Sequence, residues 1–89
     1  MEEAVRQLVS KHNLRLISLD ISAIFGNIAL VVASPRTKMR FVRDRGRNTC
    51  EIGRGAGGWE EDRLASSPEF SEIQDFCAFV EKVLAAKNL

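Results

Sequence analysis

The sequence predicts an α+β domain: a four-stranded antiparallel meander with N- and C-terminal helices packed on one face, in the order α-β-β-β-β-α. Three observations predict it. Apolar residues recur at helical spacing at both ends of the chain and with a period near two between residues 14 and 53. Short clusters of turn-forming residues interrupt that middle stretch, so successive strands must pair antiparallel. Each terminal helix carries one apolar stripe, and a sheet face is the surface against which such stripes bury.

Residues 2–12 give the first helix. At about 100° per residue, Ala4, Val5, Leu8 and Val9 share a stripe from which Glu2, Glu3, Arg6 and Lys11 are absent. His12 continues the stripe and is expected to finish the helix or lie over the core, and Asn13 suits a left-handed closing residue. Four strands follow over 14–21, 27–33, 38–44 and 49–53. They are separated by Gly26-Asn27, by Ser34-Pro35-Arg36-Thr37 and by Asp44-Arg45-Gly46-Arg47-Asn48. Strict alternation sends Ile17, Leu19, Ile28, Leu30, Val32, Met39, Phe41, Cys50 and Ile52 toward the helices. The same parity puts Leu14, Leu16, Ala29, Val31 and Val42 on the opposite face, fringed by Lys38, Arg40, Thr49 and Glu51. Gly55-Ala56-Gly57-Gly58 reads as a flexible strand-to-helix connector, followed by Trp59 as a loop anchor or an exposed contact. The second helix is expected to open at Ser67-Pro68-Glu69, a capping residue, a first-turn proline and a first-turn acid. Its face gathers Phe70, Ile73, Phe76, Cys77, Val80, Val83 and Leu84, which places Cys77 in the core.

Eighty-nine residues, 45% hydrophobic and 28% charged, make a single domain of ordinary globular balance. A chain this short buries only roughly 60–65% of its unfolded surface, so a partner or a second copy would add usefully to its stability. No apolar run approaches the ~20 residues of a membrane span. The opening Met1-Glu2-Glu3-Ala4-Val5-Arg6 lacks the basic-then-apolar pattern of a secretory signal. With two cysteines and no CxxC pair, a reduced, cytoplasmic protein is expected.

Charge is unevenly placed despite a formal net charge of +1. Residues 36–54 hold Arg36, Lys38, Arg40, Arg43, Arg45, Arg47 and Arg54 against Asp44 and Glu51, a balance of +5. Residues 60–81 hold Glu60, Glu61, Asp62, Glu69, Glu72, Asp75 and Glu81 against Arg63, a balance of −6. Arg43, Arg45 and Arg47 around one turn could grip phosphate or carboxylate, which makes the basic 36–54 hairpin a candidate nucleic-acid module. Near-neutral charge over the whole domain and the absence of tyrosine weigh against that alternative, and pairing with the acidic segment offers an internal use for the arginines.

Enzyme chemistry finds little support. The single histidine lies far in sequence from both cysteines, the glycine run lacks the Lys-Ser/Thr of a phosphate loop, and the acids at 60–62 lack the spacing of a calcium loop. No catalytic residue, metal or cofactor is expected. The expected surface for self-association or for a protein partner comprises Leu16, Val31, Val42, Arg40, Arg43, Arg45, Arg47 and Trp59, because a bare apolar sheet face is seldom left uncovered.

The string Met39-Arg40-Phe41-Val42-Arg43-Asp44-Arg45-Gly46-Arg47, followed by a tryptophan and an apolar helix, resembles a class of small bacterial proteins of unassigned function. In these an RF-x-RDRG-type hairpin precedes a C-terminal helix, and some resemble immunity proteins of toxin systems. The similarity covers about the C-terminal half of the chain and brings no catalytic residues. It implies a non-enzymatic domain that presents a charged, complementary face to a protein partner.

Overall fold

Helix α1 spans Glu2–Lys11, with acidic residues in its first turn and Lys11 in its last, the arrangement that complements the helix dipole. Val5, Leu8 and Val9 are its buried stripe. His12 ends it and Asn13 turns the chain with φ of 56°, so the left-handed closing residue falls where the sequence places it. This is a computed structural model, and it describes residues 1–22, 24–55 and 57–87.

Four strands follow: β1 (Arg15–Ser22), β2 (Asn27–Ala33), β3 (Lys38–Asp44) and β4 (Arg47–Gly53). A short fifth, β5 (Trp59–Glu61), pairs with β4, and the order across the sheet is β1-β2-β3-β4-β5, antiparallel throughout. The expected four-stranded meander is therefore five-stranded, and the expected strand-to-helix connector is a hairpin loop. Across that loop the Arg54 N–H donates to the Gly58 carbonyl at 2.8 Å and the Gly57 N–H to the Arg54 carbonyl at 2.9 Å; Ala56 lies outside the described residues.

The β3–β4 connection is a two-residue turn with Arg45 at φ 54° and Gly46 at φ 81°, the double left-handed geometry that matches strand twist. Gly46 has a second reason to be glycine. The Phe70 ring lies against its Cα, where any β-carbon would collide with it.

Beyond β5 the chain runs beside β4 instead of entering a helix. The Asp62 N–H donates to the Cys50 carbonyl at 2.7 Å, and the Ser67 N–H to the Asn48 carbonyl at 2.8 Å. Those bonds hold Ser67 in a strand-like bridge, so the Ser67-Pro68-Glu69 signal does not start the second helix. The start comes later: Glu72 and Asp75 form a reciprocal capping box over the 3-10 turn Ile73–Asp75, and α2 (Phe76–Ala86) continues from it. Phe70, expected on the helix's apolar face, is 74% exposed, and Cys77 is half-buried instead of fully in the core.

Both helices pack on one face of the sheet. Between them lie Ile28, Leu30, Val32, Met39, Phe41 and Cys50, meeting Val5, Phe76, Val80 and Leu84, each of these at most 1% exposed. Burying each larger aliphatic or aromatic side chain contributes about 1.5–3 kcal/mol relative to leaving it in water. Phe79 of α2 meets Phe41 edge to face, ring centroids 6.2 Å apart.

The sequence parity fails in β1. Leu16 is opposite Val32 but Ser18 is opposite Val31, so one extra residue, Ile17, is inserted as a bulge. Ile17, expected inside, is 43% exposed, whereas Leu14 and Leu16, expected on the open face, pack against the helix-side core.

Candidate interaction surface

The helix-free face is built from cross-strand rows. One row runs Asp20, Ala29, Val42, Thr49; the next runs Ser18, Val31, Arg40, Glu51, Glu61; a third runs Arg15, Ala33 and Lys38 on the β1 side and Gly53, Trp59 on the β5 side. Ala29, Val31, Ala33 and Val42 form a half-exposed apolar strip over β2 and β3. Beside it stands a polar cluster. Arg40 donates from Nε and Nη2 to the two Glu51 carboxylate oxygens, both at 2.9 Å, a bidentate fork. The same guanidinium lies 4.6 Å from the centroid of the Trp59 ring, with Lys38 Nζ at 5.7 Å. Trp59 is thus a face residue pinned by cations, set opposite Gly53, over which the Lys38 side chain runs.

The arginine hairpin does not converge. Arg43, expected at the surface, is 6% exposed because it continues the inward run of Met39 and Phe41. Its Nη1 donates to the Gly26 carbonyl and its Nη2 to the Ser71 carbonyl, each at 2.7 Å. Arg43 therefore ties the β1–β2 turn to the segment before α2. Arg40 is engaged by Glu51 and Trp59, and Arg47 Nε donates to the Pro68 carbonyl at 2.9 Å. Arg45 stands exposed at the turn, where its N–H donates to Asn27 Oδ1 at 3.3 Å. Leu16 leaves the candidate surface as well, carried by the bulge to the helix side. Of the expected surface, Val31, Val42, Arg40 and Trp59 come together; Arg45 and Arg47 lie at one end of it.

The charge separation is partly folded onto itself. Arg54 pairs with Glu60 across the glycine hairpin, and Lys87 Nζ meets Asp62 Oδ2 at 2.6 Å. That hydrogen bond from Lys87 is the main reason the Asp62 carboxyl is held below its usual range. Glu81 accepts from Lys11 at 3.0 Å and lies 3.1 Å from His12 Nε2, contacts that likewise lower its pKa, Lys11 most. His12 thus sits at the α1–α2 junction, as a helix-ending residue.

Sequence reasoning missed a second apolar patch. Ile24 and Phe25, in the β1–β2 turn, are 87% and 75% exposed, and Phe70 reaches the same end of the sheet over the β3–β4 turn. The signal was present as two large apolar residues directly before the turn glycine, Gly26.

Among the described residues no three of His, Cys, Asp and Glu gather as a metal site. Cys50 is fully buried and its burial pushes the thiol up to about 11, so it stays protonated at neutral pH; burial raises Cys77 too. A groove of about 550 Å³ between residues 62–69 and α2 is lined by Leu64, Phe79 and Val83, with Ser66 and Ser67 on its loop side, and is flanked by the Lys87–Asp62 pair. No helix among the described residues is long and apolar enough to cross a membrane. Comparison with protein-family models, with curated proteins and with solved structures finds no match to this chain.

Proposed function

We propose that this chain is a non-enzymatic protein–protein interaction domain whose contact surface is the helix-free face of its sheet. One observation carries the proposal. The helices cover one face only, and the other sets an apolar strip, Val31 and Val42, beside a tryptophan and an arginine already fixed in place by Glu51. Tryptophan and arginine are the residues that most often dominate binding energy, and holding them rigid before contact lowers the entropic cost of docking. An immunity-type pairing with a toxin is one form such contact takes, and a toxin gene next to this one would favour it.

Nucleic-acid binding is the competing function, and the geometry offers it less. Of the hairpin arginines, Arg43 is buried and Arg40 and Arg47 are committed to partners within the chain. The experiment uses the intact protein as bait in an extract of its host. A stoichiometric protein partner retained by the wild type, and lost with Val31→Glu and with Trp59→Ala while both variants keep their far-UV dichroism, supports the proposal. Binding of generic RNA or DNA at low salt, weakening as salt rises, with no protein partner, would overturn it.

A further inference from the structure

We propose that β1 is a dimerisation edge: two copies of this chain pair their β1 strands antiparallel about a two-fold axis. In that register Arg15 stands opposite the second copy's Asp20, Leu16 opposite its Leu19 and Leu14 opposite its Ile21. The inference does not depend on what occupies the helix-free face.

Four observations carry it. First, β1 is the end of the strand order, and among the described residues its 15–21 backbone has no hydrogen-bonded neighbour besides β2. A strand of eight residues with a free edge is a template for another strand. Second, the core is unfinished along this edge. The inward residues of β2 and β3, Ile28, Leu30, Val32, Met39 and Phe41, are at most 1% exposed, whereas Leu14, Leu16, Leu19 and Ile21 are all only partly buried. A second copy would extend the same core with the same four residues.

Third, the edge is self-complementary in charge. Arg15 and Asp20 are the only charged residues of β1, and both are exposed on the helix-free side, opposite Ala33 and Ala29. Neither forms an ion pair among the described residues. A two-fold axis would create the Arg15–Asp20 pair twice.

Fourth, the bulge selects the register. Paired residues of an antiparallel ladder point to one face, so identical regular strands can pair only residues of like parity. Arg15 with Asp20 and Leu16 with Leu19 are of unlike parity, and they share faces only because Ile17 is inserted between them. Sliding the register by one residue would set Leu16 against Asp20 and mix the faces. A bulge ordinarily blunts an edge, because an incoming regular strand has no residue to match the extra one. Here the second copy brings its own Ile17, each Ile17 falling opposite the other copy's Ser18, so the two extra residues balance and the ladder resumes in step on either side.

The test is molar mass by size-exclusion chromatography with light scattering on the full chain at several concentrations. The wild type should run as a dimer, twice the 9.9 kDa of the chain. Arg15→Asp alone and Asp20→Arg alone should each weaken the dimer by about ten-fold or more, since each replaces two attractive cross-strand pairs by two repulsive ones. The double variant Arg15→Asp/Asp20→Arg should restore it, an outcome a general loss of folding cannot produce. A wild type monomeric up to about 1 mM, a range in which even weak specific pairs associate, would overturn the inference. So would a dimer indifferent to both single reversals; if Val31→Glu then dissolves that dimer, the contact lies on the sheet face instead.

Discussion

Arg43 shows how a single side chain can look like surface and behave as structure. Its two hydrogen bonds to the Gly26 and Ser71 carbonyls join loops far apart in sequence, and Asn48 beside it donates from Nδ2 to Ser71 Oγ at 3.1 Å. Arg43→Met should cost about 2–4 kcal/mol in urea unfolding, because two carbonyls lose their donors in a closed site. Arg43→Lys should recover only part of that, since an ammonium cannot span both carbonyls as a planar fork does. The Asp62–Lys87 and Glu81–Lys11 contacts are measurable through pH. Both carboxyls have folded-state pKa values below their ordinary ones. Their contribution is therefore complete above the unfolded value, about 4, and is lost as pH falls through the lower folded values. Lys87→Met should flatten the acid limb of a stability–pH curve below about pH 4 and leave the limb above pH 6 unchanged in slope. Alternation along Lys38–Asp44 already placed Arg43 on the side of Phe41; its charge, weighed without its depth in the fold, pointed outward.

The elements repeat that lesson in two ways. β2 and β3 were legible to the residue, β2 as a nearly unbroken apolar run with β-branched residues and β3 by its basic–apolar alternation, with turn residues fencing both. In β1 one inserted residue reversed the parity of what preceded it, and nothing in Arg15–Ser22 marks a bulge, which is a property of the pair of strands. A consequence follows that runs against intuition about strand deletions. Removing Ile17 should leave Leu16 and Leu19 facing the core in a regular strand, so the deletion variant should keep its dichroism and a cooperative melt. Removing Ala29 from β2, which pairs on both sides, should abolish folding by reversing half of a central strand. The opening of α2 is a conflict between levels. Ser67-Pro68-Glu69 satisfies every local rule for a helix start, but Ser67 is claimed by the edge of β4 through Asn48, a tertiary bond invisible to a local window. The helix begins at the next available cap, Glu72 with Asp75.

At the scale of the whole molecule, a single layer of helices on a five-stranded sheet leaves one broad face and one long edge, β1, while the opposite edge is only the three residues of β5 with Glu60 and Glu61 in it. Short length and charge are the usual guards of an edge, and β5 has both. The one-sided layering was legible from two apolar stripes and one sheet; the composition of the open face was not, because it depends on β5, too short to register as a strand. β5 brings Trp59, and with it an unplanned benefit. The chain has one tryptophan and no tyrosine, so its near-ultraviolet emission comes from one indole on the helix-free face. Its strand, β5, lies four strand spacings, roughly 19 Å, from β1. Emission should shift to shorter wavelength and resist acrylamide quenching when a partner settles on the face, and stay unchanged when two copies join at their edges. Without any label, the protein's own fluorescence tells the two kinds of assembly apart.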